Sequence, residues 1–272
     1  MKTFTADKNI KLKNFTDETY PQGGFYFAAL LKRGDIKVNG VRVKTNALLK
    51  AGDTVAYYTT PKEESKQSHF VVYEDENIAV LDKFSAVNFE GLLSELNLKG
   101  KYYGVHRLDR NTSGLIVFAK NETAERELKA AFKEQRAEKI YIALCKDNFK
   151  KRSDTAVAYL KKDAAASLVK ISFSPEPNFE KIITEYSVLS SHAGIAQVKI
   201  TLHTGKTHQI RAHMAALGCP VLGDEKYGNE ELNKKFNLKR QKLIAKTISF
   251  TLLKNLEYLS GKIFESRFNL EL

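Results

Sequence analysis

Apolar side chains return every three or four positions between residues 122 and 137. Ala124, Leu128, Ala131 and Phe132 fall on one face, which predicts an amphipathic helix. Asn121 stands where a cap belongs, Glu122 lies in the first turn, and Glu125 and Lys129 are spaced to pair along the exposed side. Other stretches read as strands. His69–Lys83 (HFVVYEDENIAVLDK) places two apolar runs around the turn Glu74-Asp75-Glu76-Asn77. Residues 114–119 (GLIVFA) form a short apolar run of the kind found in buried strands, and 140–145 and 196–203 are further strands. A second helix is predicted over 207–217, stopped by Gly218 with Pro220 beyond. Strands and helices mix without regular βαβ spacing, so the expected class is α+β: a mixed, largely antiparallel sheet flanked by helices.

The N-terminal pattern is different. A short helix over Phe25–Arg33 would close at Gly34, which suits a left-handed cap. Then Ile36-Lys37-Val38-Asn39-Gly40-Val41-Arg42-Val43 alternates apolar and basic residues around Asn-Gly. That is a strong hairpin signal, because both central residues of the favoured turn need positive φ. Lys37, Arg42 and Lys44 are expected on its solvent side, and Ala51-Gly52-Asp53-Thr54-Val55 adds a turn and strand. Pro21-Gln22-Gly23-Gly24 is expected to interrupt any earlier helix in residues 8–24. The stretch 61–68 (PKEESKQS) is polar and aperiodic and reads as a linker. The expected organisation is thus a module over 1–60, a linker over 61–68 and a larger domain over 69–272.

Charge narrows the choice of partner. The chain holds 44 Lys and Arg against 32 Asp and Glu, a net +12 over 272 residues. Ten of those cations and only five acids lie in residues 1–60. A surplus of this kind favours a polyanion, since phosphate contacts dominate nucleic-acid affinity. Residues 232–246 (LNKKFNLKRQKLIAK) carry six Lys and Arg and no acid, including Lys239 and Arg240. They read either as a strip facing a nucleic-acid backbone or as a solvated loop. Cys145 and Cys219 have no CxxC partner or zinc-like spacing, so both are expected as free thiols in a reducing, cytoplasmic setting. No apolar run approaches the roughly 18 residues that span a bilayer, so no membrane is expected as a partner.

The densest chemistry lies in His106-Arg107-Leu108-Asp109-Arg110-Asn111-Thr112-Ser113-Gly114-Leu115. Two arginines flank one carboxylate in a polar loop that runs into an apolar strand. Opposite charge would keep Asp109 ionised against partial burial, which serves catalysis or a structural ion pair equally well. HRLDRNTSGLIVFAK resembles the signature of the RluA-type pseudouridine synthases. Two further blocks follow in that family's order. They are Lys139-Ile140-Tyr141-Ile142-Ala143 and Leu202–His213 (LHTGKTHQIRAH), the latter continuing to Gly223-Asp224-Glu225-Lys226-Tyr227-Gly228. LLKRGDIKVNGVRVK followed by AGDTV resembles the alpha-L RNA-binding module, whose helix pair and hairpin grip RNA backbone.

The resemblance implies a pseudouridine-synthase-like core and an isomerase of uridine in structured RNA. Asp109 matches the catalytic aspartate, proposed to attack either the uracil ring or the anomeric carbon. Tyr141 matches the tyrosine packed on the target base, and Arg211 the basic partner of the aspartate. Arg107 matches an arginine that in some relatives fills the space of the flipped nucleotide. With Arg110, Lys37, Arg42, Lys44, Lys206, Lys239 and Arg240 it completes the expected RNA contacts. The chemistry accounts for these types. A glycosidic bond breaks, the base turns while held, and a carbon–carbon bond forms. No redox step and no activated water occur, so no cofactor and no metal are expected, and the chain is expected to act as a monomer. The buried target atom requires the nucleotide to be flipped, and an aromatic platform recovers part of that cost by stacking.

His203, His208 and His213 recur every five residues and suggest a metal site, but that spacing does not share a helix face as i,i+4 does. His106 is expected to be structural. Two departures stand out. Lys83-Phe84-Ser85-Ala86 replaces the family's Lys-Pro-x-Gly turn, which implies another backbone form there. Leu243-Ile244-Ala245 replaces its usual Leu-His-Ala. The alternatives are a catalytically silent RNA-binding or ribosome-assembly factor, and a synthase acting on tRNA rather than on large-subunit ribosomal RNA.

Overall fold

The computed structural model describes residues 1–163 and 168–270. The chain forms two compact units, one from Met1–Ser68 with Ala86–Tyr103, the other from His69–Ser85 and from Gly104 onward.

In the first unit, β1 (Lys2–Thr5), β3 (Ile36–Val38), β4 (Val41–Arg42) and β6 (Thr54–Tyr57) form a sheet of order β1-β6-β3-β4, and β2 (Ile10–Lys11) pairs with β5 (Leu48–Leu49). Two helices pack on one another: α1 (Leu12–Thr19) and α2 (Pro21–Arg33). Helix α1 does stop at Thr19, before Pro21 as expected, but Pro21 and the two glycines then form the first turn of α2 rather than a loop. Pro21 opens α2, where a missing N–H costs nothing. The glycines let α2 lie close to α1, since a Cβ on Gly24 would stand 2.6 Å from Asp17 Oδ1. Leu12, Phe15, Leu30, Ile36, Leu49, Val55 and Tyr57 form the core. The hairpin turn has Asn39 at φ 49 and Gly40 at φ 80, both left-handed as an Asn-Gly turn demands. Arg42 and Lys44 are exposed. Lys37 is half-buried, with its ammonium 5.1 Å over the Tyr58 ring. Residues 61–68 carry a short helix, α3 (Pro61–Glu64), closed by a capping box between Thr60 and Glu63. Arg33 ties it to α2 through Glu63 at 3.0 Å. The segment 86–103, with α4 (Phe89–Asn97), also belongs to this unit, and Asn88 donates to Asp17 at 3.3 Å.

The second unit is built on one long sheet. Its strands are β7 (His69–Glu74), β8 (Ile78–Lys83), β10 (Ser113–Ala119), β11 (Ala137–Lys146), β12 (Ser153–Asp163), β13 (Leu168–Ser172), β14 (Glu180–His192), β15 (Ile195–Leu202) and β16 (Leu243–Phe250). The two-residue strand β9 (Tyr103–Gly104) stands where the chain re-enters this unit. The order is β13-β12-β14-β15-β11-β16-β10-β8-β7, and β17 (Ile263–Glu265) pairs with β16. All these pairings are antiparallel except β10 with β16. The short apolar runs sit mid-sheet: every residue of β8 is buried, as is Gly114–Ala119 of β10. Helix α5 (Glu122–Lys133) lies against β10 with Ala124, Leu128 and Ala131 inward. It stops at Lys133, short of the predicted 137, because Ala137 already starts β11. Asn121 caps it by accepting from the Ala124 N–H at 2.9 Å, and Lys129 pairs with Glu125 at 2.6 Å. Helix α6 (Gln209–Ala216) packs on β13 and β14. Among the described residues no helix is long and apolar enough to cross a membrane.

Candidate active site

The loop His106–Ser113 is held from both ends. Leu108 is buried, and the Thr112 N–H closes a turn onto the Asp109 carbonyl at 3.1 Å. Gln241 reaches Thr112 Oγ1 at 2.6 Å. Lys83, fully buried, donates to the Arg110 carbonyl at 3.2 Å, and Ser85 donates to the Asn111 carbonyl at 3.0 Å. The segment that departs from the family turn therefore braces the loop carrying Asp109. Its backbone also differs from expectation, because Ala86 keeps a left-handed φ of 64 without being glycine. His106 is structural here: its Nε2 accepts from the Val117 N–H at 2.9 Å and its ring stacks on Phe132 at 4.4 Å. Burial, helped by the charge of Lys139, pushes its imidazole down to about 3.

Gly114 fixes where the loop ends. It pairs with Ala245 across the parallel β10–β16 contact. Its φ is +105, and a Cβ there would stand 2.3 Å from the Ala245 carbonyl oxygen. Only glycine allows that approach.

Asp109 meets Arg211 from α6. Arg211 Nη1 donates to Asp109 Oδ2 at 2.8 Å, while Nε and Nη2 donate to Asp224 Oδ2 and Oδ1 at 2.6 and 2.9 Å. The planar guanidinium thus grips Asp224 with two nitrogens and Asp109 with a third, a fixed fork that an ammonium does not offer. Asp224 is fully buried, and it also accepts from the backbone N–H groups of Lys226 and Tyr227 at 2.8 and 3.1 Å. Burial opposes charge on both partners. The bonds and charges they exchange, with Asp109 adding to them, nonetheless hold the Arg211 pKa above and the Asp224 pKa below their ordinary values. The Asp109 side chain remains about a quarter exposed, at 23%. Asp224 is not singled out by spacing, although it lies inside the Gly223–Gly228 block. Its role depends on a turn that brings it under α6.

A cavity of about 990 Å³ opens in front of this pair, at the upper end of the roughly 300–1,000 Å³ of ligand sites. Asp109, Tyr141 and Arg211 all line it, together with Arg107, Arg110, Lys139, Lys206 and His208. Tyr141 comes from β11 and is buried to 7%. Burial, reinforced by the charge of Asp109, pushes its phenol far up, so it keeps its proton. Arg107, Arg110 and Lys206 are exposed on the rim, with Lys206 also paired to Glu180. Lys239 and Arg240 are exposed but do not line the cavity, and the hairpin cations Lys37, Arg42 and Lys44 belong to the first unit. Part of 232–246 is not a free strip. Leu232, Phe236 and Leu238 pack on the core, and Leu243 starts β16.

The three histidines go to different partners. His203 pairs with Glu185 at 2.9 Å, His208 Nδ1 meets Tyr227 Oη at 3.0 Å, and buried His213 meets Thr184 Oγ1 at 3.0 Å. Among the described residues no three His, Cys, Asp or Glu side chains are grouped to hold a metal ion. The buried amide of Gln209 links the loop to the sheet. It accepts from Thr204 Oγ1 and the Lys206 N–H and donates to the Ile183 carbonyl and Thr184 Oγ1.

Known proteins resemble this chain in sequence and in fold. The model of a family described as RNA pseudouridylate synthase matches residues 59–216. A protein of Aquifex aeolicus named as an uncharacterized RNA pseudouridine synthase is 34% identical over 248 residues, covering 80% of this chain and 77% of that one. Ribosomal large subunit pseudouridine synthase C of Vibrio cholerae is 30% identical over 250 residues, covering 81% and 78%. Among solved structures, human RNA pseudouridylate synthase domain containing 1 superposes with a TM-score of 0.58 at 25% identity, covering 75% of this chain and 91% of that one.

Proposed function

Since the chain belongs to the RNA pseudouridylate synthase family, we propose that Asp109 is the carboxylate through which it turns uridine into pseudouridine, with large-subunit ribosomal RNA as the substrate. The observation that carries this reading is the Asp109–Arg211–Asp224 arrangement, with Asp109 and Arg211 lining a cavity of about 990 Å³ that has room for a flipped nucleotide. Arg211, anchored by Asp224, pairs with Asp109 and keeps it aimed. Asp109 acts either as a nucleophile toward the base or sugar or by stabilising positive charge on the ribose as the glycosidic bond breaks. Tyr141 supplies the platform on which the flipped uracil rests, worth on the order of 1–3 kcal/mol. It acts as a neutral ring, since its phenol holds its proton.

Arg107, Arg110 and Lys206 at the rim neutralise phosphates beside the flipped nucleotide, and Lys239 and Arg240 extend that contact. Lys37, Arg42 and Lys44 on the hairpin of residues 1–60 grip RNA as an alpha-L module does, while residues 69–272 supply the chemistry. The reaction rearranges bonds within one nucleotide and neither oxidises it nor adds water, so it calls for no metal and no redox cofactor. Every residue named lies in one chain, so a monomer suffices, and a ribosomal substrate places the protein in the cytoplasm. The name of the Vibrio relative supports the ribosomal target. Mapping pseudouridines in the RNA of a strain lacking the gene tests this reading. We expect a uridine in large-subunit ribosomal RNA to lose its modification and regain it when the gene is restored. An unchanged ribosomal map with a lost site in transfer RNA would overturn the substrate assignment.

A further inference from the structure

Isomerisation leaves one step that the residues so far do not cover. When C5 of uracil bonds to the ribose, the hydrogen on C5 must leave. A base has to take it, and the cavity is lined, besides Asp109, by Tyr141, Arg211, Lys139, Glu225 and three histidines. Tyr141 holds its proton because burial and the charge of Asp109 both push its phenol up. Arg211 is permanently charged and bound to two carboxylates. His106 uses Nε2 to accept from Val117, and His203 uses Nε2 on Glu185.

His208 differs from all of these. It lines the cavity, and its Nε2 lies 4.0 Å from Asp109 Oδ2, too far for a hydrogen bond. Its other nitrogen, Nδ1, lies 3.0 Å from Tyr227 Oη, which also accepts the Val169 N–H at 2.8 Å. A phenol oxygen has two lone pairs, so it can accept from Nδ1–H as well and leave Nε2 unprotonated toward the cavity. The backbone is committed to this placement: His208 sits at φ 55 at the start of α6, in the left-handed region. Residues other than glycine and asparagine adopt that region at a cost, and observed cases often mark functional sites. The Tyr227 ring holds the assembly together, edge-on to His208 with centroids 5.6 Å apart and with the Arg211 guanidinium 5.3 Å over its face.

We propose that His208 is the general base that removes the C5 proton during pseudouridine formation. The step balances without any further reactant. The C5–H bond breaks, its electron pair restores the C5–C6 double bond, and the proton goes to Nε2. The imidazolium so formed lies beside the Asp109 carboxylate, which stabilises it, and then yields its proton to water. The hydrogen lost at C5 is matched by one gained from water at N1. In the resting enzyme the imidazole is neutral. Burial lowers its pKa, and Arg211 and Lys226 lower it further, against the opposing charges of Asp109 and Asp224. The acid limb of kcat/KM is therefore expected below the ordinary imidazole value near 6.5.

The inference rests on the proposed reading of Asp109, and the test separates the two. Single-turnover rates are measured on large-subunit ribosomal RNA transcribed in vitro with uridine or with 5-deuteriouridine. The enzymes are wild type, His208→Asn and His208→Gly. Asparagine and glycine both accept the left-handed backbone, so folding is preserved. Loss of a positioned base costs roughly 100-fold or more in rate. We expect that loss in both variants, together with a primary deuterium isotope effect absent from the wild type. Added imidazole should restore turnover to His208→Gly and abolish the isotope effect. Either of two results overturns the role of His208: a wild-type rate in both variants, or a slow rate with no isotope effect and no rescue. A wild-type enzyme without turnover would instead overturn the proposed ribosomal substrate, and a wild-type rate from Asp109→Asn in the same assay would overturn the reading of Asp109.

Discussion

With Nε and Nη2 of Arg211 given to Asp224 and only Nη1 left for Asp109, the two carboxylates are not equivalent. Asp224 is the anchor and Asp109 is the carboxylate that faces the cavity. Breaking a buried pair leaves an uncompensated charge and costs about 3–5 kcal/mol. Arg211→Met is therefore expected to lose about that much stability in urea unfolding as well as turnover. Arg211→Lys should fold better than Arg211→Met yet turn over slowly, since a shorter ammonium without the planar fork no longer fixes the direction of Asp109. A second residue-level expectation concerns acid. Burial pushes the imidazole of His213 down to about 4. Between the ordinary value near 6.5 and about 4, the unfolded chain binds a proton that the native state does not, so stability falls as pH falls. That single group adds up to about 1.4 kcal/mol per pH unit to the slope. Urea unfolding of His213→Asn between about pH 7 and about pH 5 should show a slope shallower by one proton. At this scale the sequence conveys residue types but not pairings. Asp109, Tyr141 and Arg211 are legible because their flanking blocks are. Asp224 and His208 are not, because their roles depend on the turn at 223–228 and on a left-handed residue that spacing does not reveal.

Elements fix these side chains by what they must pack against. The capping of α5 by Asn121 is readable, because a polar cap before an apolar period has one simple use. Its replacement, Asn121→Ala, is expected to cost about 1 kcal/mol of stability and leave turnover unchanged, since Asn121 does not line the cavity. Gly114→Ala should behave in the opposite way. A methyl group 2.3 Å from the Ala245 carbonyl must push β10 from β16, and with it the end of the Asp109 loop. We expect a large fall in both melting temperature and activity. Pro21-Gln22-Gly23-Gly24 marks the end of α1 but misleads beyond it, because proline and glycine break helices in isolation, whereas here they start one and let another approach. The brace from Lys83 and Ser85 is likewise hidden, since it joins carbonyls 26 and 27 residues away in sequence.

At the scale of the whole molecule, net charge and sheet architecture are the most readable features. A net +12 points to a polyanion, and the absence of βαβ spacing points to an antiparallel sheet, which is what β7, β8 and β10 to β17 form apart from the parallel pair of β10 and β16. Composition cannot show that 86–103 joins the first unit, because that depends on long-range packing of α4. If the hairpin cations neutralise phosphates, replacing Lys37, Arg42 and Lys44 by glutamine should flatten the dependence of log affinity on log salt. The expected change in slope is about 0.7–0.9 for each phosphate no longer neutralised, read by titrating RNA at several salt concentrations. The most direct test of the central claim is the release of tritium from RNA labelled at C5 of uridine, with wild type beside Asp109→Asn. We predict steady release by the wild type and none by the variant, with RNA binding retained. Equal release by both would contradict the assignment of Asp109.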